Sequence, residues 1–173
     1  MSPTAPDPGD TEAWNAYLAE GNAKQARKRV AADVLLRDPT GRVLLVNPTY
    51  KPDWDLPGGM AEANEPPEET VGRELLEELG LKITVTGLLV VDWVAPHGPW
   101  DDQIAFIFDG GMLPQDQADR LHPRDKELAE VAFVDPEEAH ARLGERLQRR
   151  FTAAMTALAA ERPLYLHDGV PAH

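Results

Sequence analysis

A chain of 173 residues has the length of one ordinary domain, and 42% hydrophobic with 27% charged residues is the composition of a soluble globular protein. No run approaches the roughly 20 apolar residues with which a helix crosses a bilayer, so no membrane-spanning helix is expected. The 17 basic and 30 acidic residues give a net charge of −13, a field that repels a long nucleic acid, so an anionic partner needs a local cation.

The start, MSPTAPDPGDTE, has neither a basic end nor an apolar run, and the chain has no Cys. Together these predict no secretory signal, no disulfide and no thiolate-bound metal, and they fit a cytoplasmic location.

Residues 1–10, rich in Pro, Asp and Gly, predict a flexible tail. Thr11 can cap a helical extension over 11–28, with Trp14, Tyr17 and Leu18 at helical spacing. Those aromatics are expected to pack on the body; the alternative is a second subunit in a homodimer. Lys24, Arg27, Lys28 and Arg29 form a basic cluster that reads as a solvated helix end, or as a place to meet a phosphate. VAADVLLRD and RVLLVN are strand-like runs joined by a PTG turn and predict a hairpin. YKPDWDLPGG reads as irregular, and a helix follows from about Pro67 to Leu79. LKITVTGLLVVDWV predicts one long or two short strands, QIAFIFDGG another, and ELAEVAFVD a final core strand. PEEAHARLG and ERLQRRFTAAMTALAAE predict helices, and PLYLHDG a short terminal strand. No repeat or second domain is visible, so residues 29–173 are expected to form one α/β unit, a mixed β-sheet between helical layers.

The chemistry is concentrated in residues 59–81, GMAEANEPPEETVGRELLEELGL. At about 100° per residue, Glu74, Glu77 and Glu78 fan over only about 100° of one helix face. Leu75, Leu76, Leu79 and the small Gly72 are expected on the opposite face, against a sheet. Like charges so spaced repel, and a cation offsets that cost; Arg73 can also orient Glu77 through an i,i+4 pair. The ligands offered are hard oxygens, without Cys or His, which favours magnesium or manganese over zinc. A solvated acidic face without a ligand is the plainer reading, but it predicts neither the Gly58–Gly59 pair nor the flanking Arg73. Glycines after Pro57 let the backbone turn sharply and approach a ligand. Pro66 and Pro67 suit a first helical turn, whose positive end Glu68 and Glu69 complement.

The same segment resembles the Nudix box, G-x5-E-x7-R-E-U-x-E-E-x-G-U with U a bulky aliphatic residue. Gly59, Glu65, Arg73, Glu74, Leu75, Glu77, Glu78, Gly80 and Leu81 fill every specified position. The resemblance implies a Nudix hydrolase: an α/β/α sandwich that uses magnesium, or manganese, to split a diphosphate in a small nucleotide-like substrate. It implies Glu74, Glu77 and Glu78 as metal ligands, joined by a glycine carbonyl, for which Gly58 is the candidate. Gly59, Glu65, Arg73 and Gly80 are expected to support the site, with Glu65 hydrogen-bonded to the loop or to Arg73. The general base is Glu77 or a carboxylate just before the AEVAFVD strand, Glu127 or Glu130; the latter two can also be read as surface charge.

Substrate identity lies outside the box. Tyr50, Trp54, Trp93 and Trp100 can stack a base or pack at core and rim. Lys51, Arg120, Arg124 and Lys126 can hold a far phosphate or remain solvated. Pro96, 15 residues after Leu81, is similar to a marker of ADP-ribose-type hydrolases, although APHGPWDD departs from that subfamily's wording. The expected substrate is therefore a nucleoside diphosphate linked to another moiety or a nucleoside triphosphate. Two other readings compete. An isopentenyl-diphosphate isomerase of the same fold leans on a cysteine that this chain lacks, and a nucleotide-sensing module usually loses box carboxylates that are all present here.

Overall fold

The computed structural model describes residues 5–172. Residues 1–4 of the expected tail lie outside the described residues, and 5–10 contain neither helix nor strand. The fold is built on β1 (Arg29–Arg37) and β2 (Val43–Pro48), an antiparallel pair of aliphatic strands. Asp38 closes their turn: its buried carboxylate accepts from the amides of Thr40 and Arg42 at 2.9 Å each, and from Thr40 Oγ1 and Arg42 Nε at 2.7 Å each. The remaining strands are β3 (Gly58–Met60), β4 (Gly87–Val94), β5 (Gln103–Met112), β6 (Leu128–Val134), β7 (Leu164–His167) and β8 (Val170–Pro171).

The sheet order is β6-β2-β1-β5-β4-β7-β8, with β3 paired on β1. β1–β5 and β4–β7 are parallel and the other pairs antiparallel, so the expected mixed sheet is present. Alternation along the central strands splits the core in two. Ala32, Val34 and Leu36 of β1 meet Val71, Leu75 and Leu79 of α2 (Pro67–Leu79). On the other face Leu35, Val90 and Ile107 meet Phe151, Ala154 and Ala157 of α5 (Glu145–Ala160) and Ala139 of α4 (Pro136–Arg142). The result is the expected α/β/α sandwich.

Several expectations are corrected. Gly58 and Gly59, read as irregular, belong with Met60 to a strand, because β1 supplies the antiparallel partners Ala31, Ala32 and Asp33. No strand forms over 81–86, so the long apolar run contributes β4 alone. β6 is an edge strand that pairs with β2, and Ala129 and Glu130 are exposed. The terminal segment forms a hairpin, turning at Asp168 and Gly169 with φ of 50° and 79°. A short helix, α3 (Gln115–Ala118), follows β5 and was not anticipated. Leu76 is 45% exposed, since it lies one step round from the Val71–Leu75–Leu79 stripe that packs on the sheet.

The N-terminal helix, α1 (Thr11–Lys24), is capped by Asp10, whose side chain accepts from Ala13 N at 3.1 Å, and not by Thr11. It buries no residue. Trp14 and Tyr17 pack on each other, 5.7 Å between ring centroids, and Leu18 is 50% exposed. The expected packing of these side chains on the body is therefore not found: so few apolar residues make too narrow a face to dock. No helix among the described residues is long and apolar enough to cross a membrane.

Candidate active site

The loop between β3 and α2 is tied to the helix by one side chain. Arg73 donates Nε to Glu65 Oε1 at 2.8 Å and Nη2 to Glu65 Oε2 at 3.1 Å and to the Met60 carbonyl at 3.0 Å. Its Nη1 donates to Glu74 Oε1 at 2.9 Å and to Glu77 Oε2 at 3.3 Å. Glu65 also accepts from Thr70 Oγ1 at 2.8 Å and from the Glu62 amide at 2.9 Å. The Arg73 bonds, then the Glu62 amide, hold the Glu65 carboxyl down at about 2. A guanidinium with this many anionic acceptors is a rigid joint, because its donors lie in one plane.

Two glycines let the strand and helix close up. A Cβ on Gly58, which has φ +148°, would run into the Ala32 carbonyl and Asp33 of β1. A Cβ on Gly59 would sit 2.5 Å from the carboxyl carbon of Glu74. At the other end of α2, Gly80 adopts φ 64° against the Arg124 guanidinium, and the Arg124 amide donates to the Glu78 carbonyl at 2.7 Å.

Glu78 is the unsatisfied group of the site. Its Oε2 is buried without a hydrogen-bond partner. Burial, reinforced by Glu74, Asp125, Glu127 and Asp55, pushes its carboxyl up to about 7. Glu74 is also raised by burial, against the pull of Arg73. An orphaned carboxylate oxygen among four acidic neighbours fits a hard divalent cation. Among the described residues no three His, Cys, Asp or Glu side chains converge into a metal cage. Glu77 stands apart, its side chain 57% exposed and paired with Arg73. Glu127 is exposed at the start of β6, where its carbonyl accepts from the Thr49 amide at 2.8 Å, and Glu130 is exposed opposite Asn47.

Beside Glu78 lies a cavity of about 330 Å³, walled by β1, β3, the segment after β2, and the first turns of α5. Asp33, Asp55, Lys51, Arg146 and Arg150 bring charge to it. Burial pushes the Asp33 carboxyl up to about 7 against the opposing field of Arg150. Asp55 is likewise raised by burial and lowered by Lys51, whose Nζ donates to it at 2.7 Å. Apart from Lys51, these residues escaped the sequence reading; an acidic residue inside the apolar run VAADVLL was the one available signal, at Asp33. Of the aromatics, Tyr50 lines the cavity and is 71% exposed. Trp54 lies under the Arg142 guanidinium at 4.6 Å, Trp93 Nε1 donates to Asp102 at 2.9 Å, and Trp100 packs on Arg29 at 4.8 Å. Pro96 precedes the turn closed by His97 and Trp100, while Arg120 and Lys126 are exposed.

This arrangement of loop, helix and cavity agrees with what the chain resembles. A NUDIX domain model matches residues 27–155, and the chain belongs to that family. A MutT-like protein of Streptomyces ambofaciens is 29% identical over 138 residues, 80% of this chain and 82% of that protein. An 8-oxo-dGTP diphosphatase of Proteus vulgaris is 50% identical over 55 residues, 32% of this chain and 46% of its own. Among solved structures, the MutT protein of Methanosarcina mazei Go1 shares the fold with a TM-score of 0.64 at 23% identity, over 78% of this chain and 99% of that one.

Proposed function

We propose that the protein is a magnesium-dependent hydrolase of the diphosphate linkage in a small nucleotide-like substrate. The substrate is a nucleoside triphosphate or a nucleoside diphosphate joined to another moiety, with manganese as a substitute cation. The observation that carries the reading is the buried, partnerless Oε2 of Glu78 at the edge of a charged cavity. The name of the Proteus relative supports the triphosphate form. Residues 29–173 are taken as the catalytic unit, with α1 as an extension.

In this reading Glu74 and Glu78 hold the cation, with Gly58 offering its carbonyl and Glu77 an outer position. When bound, the cation neutralises charge on the transferring phosphoryl group. Arg73, clamped by Glu65, keeps Glu74 from swinging away when substrate enters. Glu127 is preferred to Glu77 for taking a proton from the attacking water, because it adjoins Leu128 of the cavity wall and its charge acts on Glu78, while Glu77 is engaged by Arg73.

The test is a hydrolysis screen of nucleoside triphosphates and nucleoside diphosphate derivatives with magnesium. Glu78→Gln lowers the rate at least ~100-fold with the fold intact, since a metal ligand is lost; full activity in that variant would sink the assignment. Glu127→Gln lowers kcat by roughly 100-fold without weakening metal binding, the signature of a lost base. An unchanged kcat there moves the base to Glu77. Tight nucleotide binding without turnover of any diphosphate would leave a sensor instead.

A further inference from the structure

The cavity has walls of opposite character. Glu78 stands on the α2 side, and Arg146 and Arg150 come from α5. Three arginines, Arg146, Arg149 and Arg150, fall in the first turns of α5, whose positive helix end disfavours cations. Arg149 is held by Glu145 at 2.8 Å and by the Asp168 carbonyl at 3.0 Å. Arg150 is different. Its side chain is 12% exposed, and its Nε donates to Asp92 Oδ2 at 2.6 Å.

Asp92, in the middle of β4, is 1% exposed, and its other oxygen accepts from the Gly169 amide at 3.0 Å. Its carboxylate thus has a partner on each oxygen, one of them the β7–β8 turn. A buried ion pair of this kind adds little stability over apolar residues of the same volume. What it does give is direction. With Nε committed, the terminal nitrogens of Arg150 are left for the cavity that it lines, in the planar fork that grips oxygen anions. Of the other cations lining the cavity, Lys51 is already engaged by Asp55 and Arg146 is exposed.

We propose that Arg150 is a substrate-binding residue that grips an anionic oxygen group away from the metal carboxylates, and that Asp92 is the positioning residue that aims it. The inference rests on the cavity being the substrate site of the proposed hydrolase. In a nucleotide-like substrate the gripped group is a phosphate, either the end of a triphosphate or one inside a diphosphate bridge.

The test is calorimetric binding of dGTP and of ADP-ribose to the full chain, with calcium in place of magnesium, followed by KM and kcat with magnesium. Arg150→Gln weakens binding of the preferred probe at least ~10-fold and raises KM in step, with kcat changed by less than about threefold. Arg150→Lys, which keeps a point charge, loses less. Asp92→Asn also weakens binding, and adding it to Arg150→Gln costs nothing more, because aiming matters only while the guanidinium is there. The preferred probe tells which phosphate is held. Binding within about twofold of wild type in both Arg150 variants, or a fall in kcat at constant KM, overturns the proposal. Should Asp92→Asn fail to fold, Arg150→Lys decides alone. Failure of the hydrolase reading looks different: Arg150-dependent binding with no turnover of either probe.

Discussion

At the scale of single residues, the site is organised by one cation set among three carboxylates. Glu65, Glu74 and Glu77 would otherwise repel, and the Arg73 guanidinium converts that repulsion into a fixed loop-to-helix joint. The consequence is a pH dependence with a definite sign. The Glu65 carboxyl sits at about 2, below its ordinary 4.5, so its contribution to stability is complete above about 4.5 and is lost as pH falls through about 2. The melting temperature of wild type minus that of Glu65→Gln is therefore largest near neutrality and shrinks over that window. A difference that stays constant down to the acid end would show that shape, and not charge, holds the loop. Glu74, Glu77 and Glu78 were readable as one helix face from their spacing, with Arg73 a turn before Glu77, whereas Gly59 and Glu65 precede the helix and entered through the resemblance to the box. Asp33, Asp55, Arg146 and Arg150 were not readable, since they come from distant elements and share a wall only after the sheet and α5 have packed.

Among the elements, α1 and α2 make an instructive pair, at 14 and 13 residues. α1 has a side-chain N-cap in Asp10, whereas α2 has none at Pro66 and closes on Gly80; both carry acidic residues in the first turn. α2 buries Thr70, Val71, Leu75 and Leu79 against β1, whereas α1 buries nothing. Isolated helices this short are marginal in water, so packing decides what each contributes. Deleting residues 1–25 is expected to lower the melting temperature by no more than about 2 °C and to leave KM unchanged. A larger loss in either would reveal a docking role for Trp14 and Tyr17. The same distinction explains which elements were legible. The β1–β2 hairpin, α2 and α5 carry their own periodicity and turn chemistry. Gly58–Met60 carries none; it becomes a strand because β1 lies beside it. β6 has an apolar run that resembles a core strand, yet its place at the sheet edge is a property of the topology.

For the molecule as a whole, net charge and local charge point in opposite directions. At −13 the protein repels an anionic substrate at long range. Salt limits that reach to about 8 Å under physiological conditions, and inside the cavity Lys51, Arg146 and Arg150 take over. The sheet topology has a further result, in time instead of space. β1 is flanked on one side by β5, roughly 70 residues later, and β4 by β7 at a similar remove. A chain emerging from the ribosome at about 5–20 residues per second therefore makes α2 and its carboxylates well before the central strand has both neighbours. The last strands to appear, β7 and β8, bring the Gly169 amide that completes the Asp92 carboxylate. The far wall of the cavity is thus locked only once β7 and β8 have been made and paired, and a nascent chain carries the acidic α2 segment for seconds before it has a finished pocket.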